Sequence, residues 1–271
     1  MFLAESHLHT DFSPDCRVPM AEMAAAAAEK GAAYVCFTDH IEDCSVGDPT
    51  SRPLYFFDRW EERAAAHAAL RERYAGRMDV ALGAEIDSIN HRPERAKPLW
   101  ERPDLDFIIG SIHGLADTDD FYLIPYDSLE TCLSLTERYF REYAELGRAG
   151  CCDVLGHLGY TKRYMARAGF RFDIMQFEPL IRDVFRVIIP KGIGIEVNTS
   201  GLRDALGEFI PTPEVLKLYR EMGGEIVTLG SDAHTTDGVC AGIEDAQALL
   251  RSLGYRYFTV FHKHKPDFIK L

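Results

Sequence analysis

Long apolar runs and low-complexity linkers are both missing from this chain of 271 residues. No apolar run approaches the roughly 20 residues that a membrane-spanning helix needs, so we expect no membrane partner. No internal repeat or Pro/Ser-rich linker divides the chain, and about 250 residues suffice for one α/β barrel. We therefore expect a single domain over residues 1–271.

Cys-x-x-Cys pairs are also absent, although the chain has 7 cysteines. An odd number of scattered thiols is typical of a reducing compartment. The first residues, Met1-Phe2-Leu3-Ala4, contain no basic region and begin no long apolar stretch, so we expect no signal peptide. These features predict a cytoplasmic protein.

Positive charge is scarce, since 30 Lys and Arg stand against 43 Asp and Glu, for a formal net charge of −13. Nucleic-acid binders usually present a basic face, so we expect no nucleic-acid partner. A small phosphorylated substrate is compatible with this charge, because a few local cations suffice to bind it. The charge says nothing about oligomeric state.

The chain does contain seven short apolar runs that are typical of strands buried on both faces, at 2–5, 33–38, 80–84, 107–110, 154–156, 193–197 and 226–229. Helical stretches separate most of them, including 19–30, 58–74, 129–146 and 214–222. Polar residues of chemical interest follow every run, which favours a closed parallel barrel over an open sheet. We predict an α/β fold, a distorted (β/α)7 TIM-like barrel. Whether 257–261 adds an eighth strand stays open.

Histidines and carboxylates at the ends of these runs are the most informative feature of the chain. The candidate metal ligands are His7, His9, Asp15, His40, Glu85, His113, His157, Asp232 and His234. Imidazole with carboxylate is the ligand mixture of zinc, manganese and iron rather than of calcium. Nine groups exceed the three protein ligands of a usual catalytic zinc, so they indicate two or three divalent metal ions (Zn, Mn or Fe).

The His-x-His pair after the first run is the sharpest element of this pattern. Alternate residues of an extended segment point the same way, so His7 and His9 can share one metal. Glu85 ends a buried strand, where a carboxylate is costly unless paired or metal-bound, and it is a natural bridge between metals. His262 and His264 have the same spacing, but the lysines around them predict an exposed basic tail.

Three acidic positions keep a second interpretation. Asp15 either binds a metal or caps the helix that begins near Pro19. Asp39 is read either as part of the same cluster or as the group that orients a structural His40. Asp87 is the weaker candidate, either solvated or supporting the ligands from behind.

Two arginines suggest what the site binds. Arg163 follows the fifth run and Arg203 the sixth, on the expected active-site side of the barrel. Arginine suits phosphate because its guanidinium can make two parallel hydrogen bonds, although surface charge is the alternative. Long loops at 41–57, 88–103 and 114–127 are expected to wall the pocket, where Glu42 and Asp43 are candidates to meet a cationic group.

Taken in order, these motifs resemble the PHP (polymerase and histidinol phosphatase) family over essentially the full chain. The matching motifs are His7-x-His9-Thr10-x-x-Ser13-x-Asp15, Thr38-Asp39-His40, Gly83-Ala84-Glu85-Ile86-Asp87, Ser111-Ile112-His113, Gly156-His157 and Gly230-Ser231-Asp232-Ala233-His234. The resemblance implies a seven-stranded barrel with three metals. It implies one metal held by His7, His9, Glu85 and Asp232, a second by Glu85, His113 and His157, and a third by Asp15, His40 and His234.

The segments 157–164 and 196–203 are similar to those of the monofunctional histidinol-phosphate phosphatases in that family. This similarity implies hydrolysis of L-histidinol phosphate to L-histidinol and inorganic phosphate, a step of histidine biosynthesis, with Arg163 and Arg203 on the phosphate. A metal-bridging hydroxide is expected to attack phosphorus in line. The sequence assigns no side chain as the acid for the leaving group.

Three other functions compete with this hypothesis. One is a PHP phosphoesterase that acts on nucleotides or other small phosphate esters. Another is an amidohydrolase-type barrel, which also begins with His-x-His, but Asp39-His40 and Glu85 argue against it. The last is a non-catalytic metal-binding or regulatory module, which the complete ligand set disfavours.

Overall fold

The computed structural model of the chain describes residues 2–42 and 59–271. Asp43, most of the predicted loop at 41–57 and the first residue of the helix predicted from 58 lie outside the described residues. Within the described part, no helix is long and apolar enough to cross a membrane.

A parallel sheet forms the centre of the fold. Its strands are β1 (Ala4–Glu5), β2 (Tyr34–Phe37), β3 (His40–Ile41), β4 (Asp79–Asp87), β5 (Phe107–Ser111), β6 (Val154–Leu155), β7 (Gly194–Asn198) and β8 (Val227–Gly230). Their spatial order is β1-β2-β4-β5-β6-β7-β8, and β3 also pairs with β4. Since β2 and β3 are successive parts of one barrel strand along β4, the sheet has the seven predicted positions.

Backbone hydrogen bonds join the first and last strands of this sheet. Ser6 N donates to Leu229 O at 2.9 Å, and Asp232 N donates to His7 O at 2.9 Å. These bonds bring the residues after β1 and β8 side by side at the carboxyl-terminal rim. The predicted distorted barrel is therefore confirmed.

Helices surround the barrel. They are α1 (Met20–Glu29), α2 (Trp60–Arg73), α3 (Pro93–Trp100), α4 (Leu129–Ala149), α5 (Thr161–Arg167), α6 (Glu178–Ile188), α7 (Pro213–Glu221) and α8 (Ile243–Ser252). Local signals set their ends: Ser128 caps α4 by accepting from Thr131 N at 3.1 Å, and the chain leaves α4 through Gly150 at φ 72°. The barrel strands are buried throughout except at Asp79, and burial of each large apolar side chain contributes about 1.5–3 kcal/mol.

Residues 257–261 form no eighth barrel strand. They lie in β9 (Tyr257–His262), which pairs antiparallel with β10 (Lys265–Lys270) as a separate hairpin. The hairpin packs on the amino-terminal ends of the barrel strands, where Tyr34 Oη donates to Phe261 O at 3.0 Å and the rings of Phe107 and Phe261 lie 5.0 Å apart. It closes the end of the barrel opposite the rim.

The prediction of an exposed basic tail around His262 and His264 is wrong. The His262 ring lies between Asp79 and Asp267, with nitrogen-to-oxygen distances of 2.6 and 2.7 Å. His264 Nδ1 lies 2.9 Å from Asp153 Oδ2, and its ring packs on Trp100. Both histidines fasten the turn of the hairpin to the barrel.

Candidate metal centre

The carboxyl-terminal rim collects side chains that follow six different barrel strands. The residues brought together there are His7, His9, Asp15, His40, Glu85, His113, His157, Asp232 and His234. Each lies within 4.0 Å of at least one oppositely charged member of the set. The barrel therefore converts positions scattered over more than 200 residues into one cluster.

Glu85, at the end of β4, lies at the middle of the cluster and is 1% exposed. Its Oε2 is 3.0–3.5 Å from ring nitrogens of His40, His7 and His9. Its Oε1 is 2.7–3.3 Å from Nε2 of His157 and His113. Two different sets of imidazoles thus face the two oxygens of one carboxylate, which is the arrangement expected of a bridging ligand.

Asp15 belongs to the cluster and does not cap α1. Its Oδ2 lies 3.0 Å from His234 Nε2 and 3.5 Å from His40 Nε2. The residue before α1 is Pro19, and no side chain makes a capping hydrogen bond there. Of its two sequence interpretations, the geometry retains the one that places Asp15 among the candidate ligands.

The geometry of the ring nitrogens fits divalent metal ions. His7 Nε2 and His9 Nε2 lie 3.0 Å apart, although two imidazole nitrogens in this position have at most one proton to share. Among the described residues, His40 Nδ1 and His234 Nε2 are buried without a hydrogen-bond partner, yet each is 3.0 Å from a carboxylate oxygen. Nitrogen and oxygen atoms that converge without hydrogen-bond geometry are expected where both bind one ion.

Three overlapping trios have ligand atoms that all lie within 4.8 Å of one another: His7, His9 and Glu85; His9, His40 and His234; His40, Glu85 and His113. The first trio matches three residues of the first metal implied by the family resemblance. The other two both contain His40, which faces Asp15 on one side and Glu85 on the other. His40 therefore lies between the positions implied for the second and third metals.

Electrostatics hold Glu85 and His9 in the forms that bind metals, whereas the neighbouring carboxylates raise the pKa values of His7 and His40. Burial would raise the pKa of Glu85, but His7, His40 and His113 outweigh it and hold that pKa well below its usual range. Burial, with His234 and His40 beside it, lowers the pKa of His9 to about 3. An ionised carboxylate and a neutral imidazole are the forms that coordinate metals.

Arg163 brings a positive charge to the edge of this centre. Its side chain is 12% exposed, its guanidinium donates to Ser200 Oγ, and a terminal nitrogen lies 3.6 Å from Asp232 Oδ2. Its Nε is buried and has no hydrogen-bond partner within residues 2–42 and 59–271. Arg203 is more exposed and donates to the backbone oxygen of Ser231 at 2.6 Å. Arg163 thus lies at the cluster with a free donor, and Arg203 lies at its edge.

Comparison with known proteins gives this geometry a family. The family model described as PHP domain matches residues 5–200, more than half of the chain. The chain belongs to the PHP domain family. A probable histidinol-phosphatase of Deinococcus radiodurans is 29% identical over 270 residues, covering 96% of this chain and 97% of the relative. A histidinol-phosphatase of Lactococcus lactis is 23% identical over 271 residues, covering 96% and 95%.

Solved structures share the barrel of this PHP chain. Histidinol phosphate phosphatase from Lactococcus lactis, complexed with zinc, L-histidinol and phosphate, superposes with a TM-score of 0.80 at 20% identity over 97% of this chain and 98% of that chain. The putative histidinol phosphatase from Listeria monocytogenes has a TM-score of 0.76 at 17% identity, covering 89% and 99%. At these identities the likeness establishes the fold.

Two buried carboxylates that support the PHP centre were not singled out as site residues from the sequence. Glu196 Oε1 accepts from His7 Nδ1 at 2.6 Å, and its Oε2 accepts from His157 N at 2.8 Å. Glu5 accepts from Ser231 N at 2.8 Å and so fixes the turn before Asp232. Both lie inside apolar strands, where an acid must find a partner, and that signal could have identified them.

The remaining acidic candidates, Asp87 and Asp39, accept hydrogen bonds from the backbone around the candidate ligands. Asp87 is 5% exposed and accepts from His113 N at 2.7 Å, so the solvated interpretation of Asp87 is wrong. Asp39 binds the first rim loop through Thr10 N at 2.6 Å, while the His40 ring faces Glu85 and Asp15. The interpretation in which Asp39 orients a structural His40 is therefore wrong too.

Proposed function

We propose that this PHP protein is a metal-dependent phosphomonoesterase that hydrolyses L-histidinol phosphate to L-histidinol and inorganic phosphate, in the cytoplasm, as a step of histidine biosynthesis. The observation that carries the proposal is the position of Glu85 between two sets of imidazoles, in a cluster whose Asp232 lies 3.6 Å from the Arg163 guanidinium. Relatives named histidinol-phosphatase align over nearly the whole chain, which supports this substrate.

The proposed cofactors are two or three divalent ions from among zinc, manganese and iron. In this proposal one ion is held by His7, His9, Glu85 and Asp232, a second by Glu85, His113 and His157, and a third by Asp15, His40 and His234. Ions held there neutralise phosphate charge and activate water. The zinc in the complexed phosphatase of Lactococcus lactis supports this choice of metals.

Protein side chains would bind and orient the phosphate. Arg163 offers its buried Nε and a terminal nitrogen, and a guanidinium can hold two phosphate oxygens with parallel hydrogen bonds. Asp232 keeps the guanidinium in place, and Tyr160 packs against it with the charge 5.1 Å from the ring centroid. Arg203, which holds the loop around Ser231, would contribute a second and weaker contact.

A phosphate-release screen tests the proposal. Purified protein supplied in turn with zinc, manganese and iron is assayed on L-histidinol phosphate, other amino-alcohol phosphates, nucleotides and an oligonucleotide. We expect the highest kcat/KM on L-histidinol phosphate and no cleavage of the oligonucleotide. Loss of turnover in a folded Asp232→Ala variant would eliminate the non-catalytic alternative.

Another small phosphate ester is the second candidate substrate. A probable phosphatase of Photobacterium profundum is 26% identical over 271 residues, covering 99% of this chain and 92% of that one. The same screen separates the candidates. Metal-loaded protein that hydrolyses another ester well, but releases no phosphate from L-histidinol phosphate, contradicts the proposal and favours this one.

A further inference from the structure

A buried chain of hydrogen bonds runs from helix α2 to the ring of His9. Arg63 Nε donates to Asp39 Oδ2 at 3.0 Å, and Ser13 Oγ donates to Asp39 Oδ1 at 3.0 Å. The same Ser13 Oγ lies 3.0 Å from His9 Nδ1. None of these four residues is more than 3% exposed, so water does not compete for the bonds.

The direction of each bond follows from counting protons on the Ser13 hydroxyl. A hydroxyl donates once, and the carboxylate of Asp39 can only accept, so the single proton of Ser13 goes to Asp39. The backbone N–H of His40, 3.1 Å from Ser13 Oγ, can only donate to it. The remaining lone pair of Ser13 must then accept from His9 Nδ1. His9 is therefore protonated at Nδ1, which leaves the lone pair on Nε2.

His9 Nε2 is the nitrogen that faces the proposed metals. It lies 3.0 Å from His7 Nε2 and 3.4 Å from Asp232 Oδ1. His7 is held in the same tautomer by a carboxylate directly, because its Nδ1 contacts Glu196 Oε1 at 2.6 Å. The two histidines that follow β1 thus present equivalent nitrogens through different supporting groups.

Arg63 fixes this arrangement to the barrel itself. A terminal nitrogen donates to Phe37 O at 2.9 Å, at the end of β2, and to Gly83 O at 2.5 Å, in the middle of β4. Gly83 lies two residues before Glu85. Asp39 is therefore held in a constant position relative to the carboxylate at the middle of the centre.

We propose that Asp39, held by Arg63, positions the metal ligand His9 through the hydroxyl of Ser13. In this proposal the series of hydrogen bonds sets the metal affinity of the centre. The inference rests on the proposed metal centre. Without the Ser13 hydroxyl, His9 loses the bond that selects its tautomer and fixes its ring. Loss of such a supporting bond typically lowers metal affinity by about 10–100-fold.

The test is zinc affinity of Ser13→Ala, measured on metal-free protein by competition with a chromophoric chelator. Ser6→Ala is the matched control, because Ser6 is 2% exposed and its hydroxyl has no hydrogen-bond partner in the part of the chain that the structure describes. We expect affinity to fall by about 10–100-fold in Ser13→Ala and to stay at the wild-type value in Ser6→Ala. Ser13→Thr keeps the hydroxyl and should restore affinity at least in part. Wild-type affinity in Ser13→Ala overturns the inference.

Nitrogen NMR of the zinc-loaded wild-type protein provides a readout that needs no variant. We expect the His9 ring to carry its proton on Nδ1 and to bind zinc through Nε2, and the reverse assignment overturns the inference. If wild-type protein binds no zinc, the proposed centre and this inference fall together. If it binds zinc and releases phosphate while Ser13→Ala binds equally well, this inference alone fails.

Discussion

The two ends of the barrel use the same residue types in opposite ways. At the amino-terminal end the two hairpin histidines have separate carboxylates, Asp79 and Asp267 for His262 and Asp153 for His264. At the carboxyl-terminal rim, five imidazoles lie within 3.5 Å of the single carboxylate of Glu85. One end gives each histidine its own acid or acids, and the other gathers many imidazoles around few acids.

This difference separates a structural ion pair from a metal site. Two protonated imidazoles about 4 Å apart repel each other by about 4 kcal/mol at an effective dielectric constant of 20, so a proton on every ring of the rim is unfavourable. Divalent ions satisfy several nitrogens and oxygens at once. The His-x-His motif occurs at both ends of the barrel, and only the residues that surround each copy in the fold distinguish the two.

Loss of Glu85 is expected to have the largest effect. Glu85→Gln removes the shared charge of the rim, and metal ions contribute several kcal/mol to phosphoryl transfer, so kcat/KM on L-histidinol phosphate should fall by about 10³-fold or more. Bound metal, measured by elemental analysis, should fall as well. Retained turnover in a cleanly folded Glu85→Ala variant would refute the bridging assignment.

Replacement of the arginines is expected to have the next largest effect, and it compares two positions on the rim. Arg163→Ala should lower kcat/KM by about 10²-fold, because it removes donors from the developing phosphate charge. Arg203→Ala should cost less, since Arg203 is more exposed and its guanidinium is engaged with the backbone oxygen of Ser231. Steady-state kinetics of both variants decide the ranking, and equal losses would contradict the placement described above.

The matched change at the opposite end should affect stability and leave catalysis intact. Asp153 is 4% exposed and accepts from Ile108 N at 2.7 Å and from His264. Asp153→Asn should lower the free energy of unfolding by about 1–3 kcal/mol, because the bonds from Ile108 and His264 lose their charged acceptor. Urea unfolding measures this change. An Asp153→Asn protein with wild-type stability and lowered metal content would contradict the structural role assigned to the amino-terminal end.

The smallest expected effect is a pH dependence of the stability that His262 of the hairpin contributes. Burial would lower the pKa of His262, but Asp79 and Asp267 outweigh it and raise that pKa above its usual value. The stabilisation of the folded protein by protonated His262 is therefore fully present below about pH 6.5. It is lost as pH rises through the folded-state pKa of His262. Because His262 is partly exposed, we expect less than about 1 kcal/mol. His262→Ala should abolish this part of the pH dependence in urea unfolding.

The rim was predictable from sequence because parallel strands end on one side. His157, for example, directly follows a short apolar run, and that position alone places it at the rim. The support of His7 by Glu196 was not predictable, since β7 is buried on both faces and the two residues are 189 positions apart. The hairpin was missed for a related reason: His262 finds Asp79 across 183 positions.

The most direct test of the metal-dependent phosphatase is a titration of metal-free protein with zinc while phosphate release from L-histidinol phosphate is measured. The shared rim carboxylate and the number of candidate ligands predict no turnover without metal and a maximum only after two or three equivalents have bound. Turnover that survives removal of the metal, or that is complete after a single equivalent, would contradict the proposed multinuclear centre.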